Sequence, residues 1–103
     1  MTETPRRGLK QDPHATREAL ENSLEQAIGH EVRAYRKKMG VTVADLAAAT
    51  GMSLGMLSKI ENGNISPSLA TLQALSKGLG VPLTAFFRRF EETRGAVHVR
   101  AGE

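Results

Sequence analysis

Apolar residues recur between Pro13 and Met39 at a helical period. Leu20, Leu24, Ile28, Val32, Tyr35 and Met39 follow one another at intervals of four, four, four, three and four, which places them on one face of an amphipathic α-helix. Gly29 weakens the middle of that stripe, so the well-formed part is expected to begin nearer Ser23. Gly40 stops it. Thr42, with Asp45 three residues on, is the reciprocal capping box that opens a second helix, Val43 to Thr50. This helix is short and alanine-rich, so another helix can approach it closely, and Gly51 ends it. Ser53 caps a third helix that carries Leu57 and Ile60 and closes with Gly63 after Asn62. After a polar loop, Ser68 caps a fourth helix, or Ser66 does so with Pro67 at the first helical position. Leu69, Leu72, Leu75 and Leu79 line one face of it and are assigned to the core. Gly80 and Pro82 interrupt, and Leu83, Phe86 and Phe87 predict a last short helix.

The pattern stops at both ends. Residues 1–22 read as a flexible N-terminal segment, in which Arg6, Arg7 and Lys10 are candidates for a basic arm. Residues 23–88 form the predicted domain. Residues 89–103 read as a linker and the start of a further C-terminal domain, since Ala96 to Arg100 alternates like the beginning of a strand and one strand is not stable by itself. The fold class is all-α, a compact bundle of about five helices containing a helix-turn-helix.

Composition narrows the function. The chain has 103 residues and no cysteine, which rules out disulfides and thiolate metal sites. No apolar run is long enough to span a bilayer, and the polar N-terminus has no signal-peptide core. A cytoplasmic location is expected. The net charge is +3, and Leu24 to Phe90 holds eight bases against four acids. The basic excess lies on the predicted domain, where it favours a polyanion.

The informative stretch is Thr42 to Gly63. Two short helices meet at Gly51-Met52-Ser53, and Leu46, Ala47, Met52, Leu57 and Ile60 are expected to fill the space between them. This arrangement leaves one face of the second helix free for a DNA major groove while the first crosses the backbone. Arg36, Leu46-Ala47, Gly51-Met52-Ser53, Leu57 to Gly63, Pro67-Ser68, Thr71-Leu72 and Leu79-Gly80-Val81-Pro82 together resemble the XRE family of lambda-repressor and Cro-like regulators, over about Ile28 to Phe87. Residues Phe86 to Glu103 resemble the linker and first strand of XRE members that carry a C-terminal cupin sensor.

The resemblance implies a transcription regulator that binds double-stranded DNA sequence-specifically. Residues 53–62 are then the recognition helix, with Ser53, Leu54, Gly55, Ser58 and Lys59 facing bases. Thr42, Val43, Asn62, Asn64 and Ser68 stand at phosphate-contacting positions, and Arg36 with Glu61 matches a structural salt bridge. Val43 replaces a glutamine that often touches phosphate in the family. Leu54 and Gly55 occupy positions that often carry Gln, Arg or Ser. Leu54 can sense only a thymine methyl or shape; Gly55 either permits closer approach to DNA or is neutral drift. Met56 is open between core and a dimer or DNA surface. A homodimer is implied, with a small-molecule effector acting through the further C-terminal domain.

Other chemistry finds little support. Gly51-Met52-Ser53-Leu54-Gly55 matches the nucleophile-elbow pattern, but that motif needs a strand before the serine, and here a helix precedes it. His14, His30 and His98 lack metal-ligand spacing. No enzyme activity, metal or cofactor is expected. The competing reading is a protein-interaction module, a helix-turn-helix adaptor or an antitoxin.

Overall fold

A computed structural model describes residues 13–90. Four α-helices and a terminal 3-10 turn follow in order: α1 (Pro13–Met39), α2 (Val43–Thr50), α3 (Leu54–Glu61), α4 (Leu69–Leu79) and the 3-10 turn Leu83–Phe87. The helix-turn-helix bundle is all-α over the described residues, with the last element tighter than an α-helix.

Helix α1 is continuous through Gly29 and starts at Pro13, ten residues ahead of the expected start at Ser23. Residues 16–23 are all exposed. Burial begins at Ala27, Ile28 and Val32. The stripe read from the sequence is therefore wider than its contact: Leu20 and Met39 at its two ends are exposed. The basic arm Arg6, Arg7 and Lys10, and the strand-like Ala96 to Arg100, lie outside the described residues.

Gly29 has a packing reason. A Cβ at this position would lie 2.3 Å from the Ile60 carbonyl oxygen and 2.8 Å from that of Glu61. The helix backbone of α1 rests directly on the C-terminal turn of α3, and only glycine permits that approach. Near the same turn, Ser66 donates a hydrogen bond to Glu25 on α1.

The short helices are set by their caps. The Thr42 hydroxyl accepts from Asp45 N–H at 3.0 Å, and the Asp45 carboxylate accepts from Thr42 N–H at 3.2 Å. Gly51 ends α2 at φ +74, in the left-handed region, and Met52 N–H reaches back to the Ala47 carbonyl at 3.0 Å. That bond satisfies a helix-end acceptor and turns the chain sharply into Ser53. Ser53 then caps α3 by accepting from Met56 N–H at 3.0 Å. Ser68, rather than Ser66, caps α4. Beyond α4, the Ser76 hydroxyl donates to the Val81 carbonyl at 2.5 Å.

One apolar cluster joins the elements: Ile28 and Val32 from α1, Leu46 and Ala47 from α2, Leu57 and Ile60 from α3, Leu72, Leu75 and Leu79 from α4, and Phe86. Phe86 is fully buried, and burial of a side chain that size contributes roughly 1.5–3 kcal/mol. Met52 and Phe87 are half-buried against this cluster. Leu69 departs from the expected core stripe. It sits at the first position of α4, 61% exposed, and burial on this helix begins only at Leu72, three residues further along.

Candidate nucleic-acid interface

Helix α3 has two unlike faces. Leu57, Ile60 and Glu61 point inward and are buried. Leu54, Gly55, Met56, Ser58, Lys59 and Asn62 are exposed. At 100° per residue the outer face centres on Gly55, Ser58, Lys59 and Asn62, with Leu54 and Met56 on its two flanks. The outer surface thus combines a hydroxyl, an ammonium and an amide with an apolar first turn. All five base-facing candidates, Ser53, Leu54, Gly55, Ser58 and Lys59, are exposed on this one short segment.

The inner face is clamped. Arg36 Nε donates to Glu61 Oε2 at 2.7 Å and Arg36 Nη2 to Glu61 Oε1 at 3.0 Å. Its Nη1 donates to the Val41 carbonyl at 2.9 Å. One guanidinium therefore ties the end of α1, the chain entering α2 and the end of α3 together. The hydrogen bonds that Arg36 donates to Glu61 raise its pKa above its ordinary value; burial opposes this and the Glu61 charge adds to it. Both side chains are nearly buried, at 10% and 5% exposure, so Arg36 is engaged in holding α3 and is not displayed to a ligand. A bidentate pair of this kind fixes orientation as well as distance. Together with the close approach at Gly29, it gives α3 a rigid seat.

The five phosphate-position candidates surround α3 in sequence. Thr42, Asn62, Asn64 and Ser68 are exposed. Thr42 and Ser68 use a hydroxyl oxygen as helix-cap acceptor. Thr42 keeps its own O–H as a donor. Ser68 Oγ lies 3.0 Å from Thr71 Oγ1, so those two hydroxyls share a hydrogen bond. Val43 differs from the rest: its side chain is half-buried against the core. It can offer only its backbone N–H, one of the first-turn donors that a helix leaves without an intrahelical acceptor. Such groups, with the helix dipole behind them, attract anions.

Two contributors were hidden from residue-type reasoning. Gly29 positions α3 from a distance, and the only signal was a glycine inside a helical pattern. Met56 resolves as 41% exposed on the flank of the outer face. The nucleophile-elbow match has no matching geometry, because α2 precedes it and Ser53 serves as a cap. Among the described residues no group of three or more His, Cys, Asp or Glu could hold a metal, and no helix is long and apolar enough to cross a membrane.

Comparison with known proteins places these elements in a wider class. The helix-turn-helix family model HTH_3 matches residues 32–86. The chain is 37% identical over 67 residues to the HTH-type transcriptional regulator SutR of Escherichia coli, a match covering 65% of this chain and 37% of SutR. It is 43% identical over 61 residues to the HTH-type transcriptional regulator SlrR of Bacillus subtilis, covering 58% of this chain and 40% of SlrR. The chain thus spans about two fifths of either relative's length. The crystal structure of an HTH_3 family transcriptional regulator from Vibrio cholerae superposes with a TM-score of 0.63 at 33% identity, over 67% of this chain and 39% of that one.

Proposed function

The chain belongs to the HTH_3 helix-turn-helix family, and from that premise we propose that it binds double-stranded DNA sequence-specifically and regulates transcription. Helix α3 enters the major groove and α2 lies across the backbone. Ser58 and Lys59 read base edges, Lys59 by donating to guanine O6 and N7. Ser53, Leu54 and Gly55 line the part of α3 that enters first. Thr42, Asn62, Asn64, Ser68 and the Val43 amide hold phosphates and so set register rather than sequence.

The observation that carries this reading is the division of α3. Its inner face is committed to Leu57, Ile60 and the Arg36–Glu61 clamp, and its outer face, centred on Gly55, Ser58, Lys59 and Asn62, is left exposed. A helix of eight residues is about 12 Å long, enough to read only a few base pairs. A homodimer on a pseudo-palindromic site supplies the second half-site that specificity requires. Residues 23–88 are the proposed DNA-binding unit.

Titration of the chain against the DNA upstream of its own gene and against a scrambled duplex of equal length, at near-physiological salt, tests the proposal. A preference for the upstream duplex is the expected result. Equal, steeply salt-sensitive binding to both would reduce the chain to non-specific backbone attachment. Absence of binding to either would remove the DNA reading.

A further inference from the structure

An open groove of about 540 Å³ lies away from the outer face of α3. Leu20, Ser23, Ala27 and His30 line it from α1, with Gln26 beside them. Their spacings of three, four and three put the first four on one face of the helix. Arg89 and Phe90, just beyond the 3-10 turn, line the other side. All of these residues fall outside the stretch 32–86 that matches the helix-turn-helix family. Gly29, two residues after Ala27, faces the opposite way, against the Ile60 and Glu61 backbone. The groove is therefore built on the back of the turn of α1 that seats α3.

We infer that this groove binds a small organic carboxylate whose apolar body is about the size of one ring. Its lining divides by chemistry. Ala27 is buried, Phe90 half-buried and Leu20 43% exposed, and these three form an apolar side. Ser23, Gln26, His30 and Arg89 bring a hydroxyl, an amide, an imidazole and a guanidinium, each able to donate a hydrogen bond. Among the described residues no carboxylate lines the groove, so an anion meets donors and no like charge. The planar guanidinium of Arg89 matches a carboxylate in a two-bonded fork. With five N–H donors it can hold a neighbour and a ligand together. An inorganic phosphate would leave Leu20, Ala27 and Phe90 without a partner, and an amine would meet a like charge at Arg89. The volume lies within the range of roughly 300–1,000 Å³ usual for small-molecule sites. The inference stands apart from the DNA-binding reading, since none of these side chains is assigned to DNA.

The test titrates the isotope-labelled 103-residue chain with three probes and follows backbone amide shifts by NMR. Benzoate carries both features that the groove selects. Benzamide keeps the ring without the charge, and acetate keeps the charge without the ring. Benzoate is expected to saturate, with its largest shifts at residues 20–30, 89 and 90, and to raise the Tm of the chain by binding the folded state. Benzamide and acetate should each bind at least about tenfold more weakly, the worth of a charge-assisted hydrogen bond or of a buried ring. Arg89→Gln should lose about tenfold in benzoate affinity with an unchanged circular-dichroism spectrum, and Arg89→Lys should keep part of it. Benzamide binding as tightly as benzoate, undiminished affinity in Arg89→Gln, or shifts spread over the surface without saturation would overturn the inference. Absence of benzoate binding would overturn it too, and a dimer split by Leu20→Glu would then give the groove to a second copy of the chain. DNA binding stands or falls separately in every case.

Discussion

Replacing Gly29 by alanine puts two rules in opposition. In an ordinary helix interior the change stabilises by about 1 kcal/mol, because glycine is the more flexible residue in the unfolded chain. Here the new Cβ would stand 2.3 Å from the Ile60 oxygen, 2.8 Å from the Glu61 oxygen and 3.0 Å from the Glu61 carbonyl carbon. All three are backbone atoms, so no side chain can turn away. A carbon needs about 3.3 Å from a carbonyl oxygen, so α1 and α3 must part by roughly 1 Å. That movement opens the contact around Val32, Leu57 and Ile60, which are all essentially fully buried. Overpacking of this kind costs about 1–3 kcal/mol. With the upper end applying to a backbone clash, and the propensity gain of about 1 kcal/mol set against it, a net loss near 2 kcal/mol is expected. For a domain of this size that corresponds to a fall in Tm of roughly 8–16 °C. Thermal melts followed by far-UV circular dichroism measure it, with Gly55→Ala, where a Cβ meets nothing within 4 Å, as the control of opposite sign. Gly29→Ala melting at or above the parent temperature would refute the close approach of α1 to α3.

Substitutions at three further positions separate seat from surface. Arg36→Ala leaves Glu61 buried without its partner and is expected to cost about 3–5 kcal/mol in urea denaturation, with a smaller effect on the DNA affinity of the folded fraction; unchanged stability would sink the clamp. Lys59→Ala should weaken binding by ~1–3 kcal/mol. A loss confined to the preferred sequence assigns it to a guanine, a uniform loss on every duplex assigns it to a phosphate, and no loss removes it from the interface. Thr42→Ala should lose about 1 kcal/mol of stability with the capping box, whereas Thr42→Ser should keep it; equal melting of the two variants would show that the cap contributes nothing.

Much of this architecture is legible in the sequence because it is local. The Thr42–Asp45 box, the Ser53 and Ser68 caps and the turn at Gly51 are short-range devices that announce themselves by residue type. The core residues Ile28, Val32, Leu57, Ile60, Leu72, Leu75 and Leu79 follow from period alone. What was not legible depends on where a neighbour ends. Leu20, Met39 and Leu69 continue their stripes past the last residue they can pack against, so periodicity assigns them to a contact they do not make. The start of α1 was blurred: the period runs from Pro13, but Gly29 was read as shortening the well-formed part to begin nearer Ser23, and the exposed residues 16–23 carry one large apolar side chain, Leu20, to argue against that. Gly29 was read as a weak point because its partner, the backbone of Ile60 and Glu61, lies some thirty residues away in sequence. At the interface, the exposed polar positions were legible from the order of motifs. The exposure of Met56, left open between core and surface by its residue type, was not, since it depends on which side chains the core leaves uncovered.

The central claim is that the outer face of α3, with the helix starts and loop beside it, meets DNA. Backbone amide shifts of the isotope-labelled chain, followed by NMR as the upstream duplex is added, test it most directly. The account predicts perturbations concentrated at residues 42–43, 53–59, 62–64 and 68, with Phe86 and the exposed turns of α1 at residues 16–23 little changed. Perturbations centred on α1 or on the 3-10 turn, with α3 silent, would contradict it.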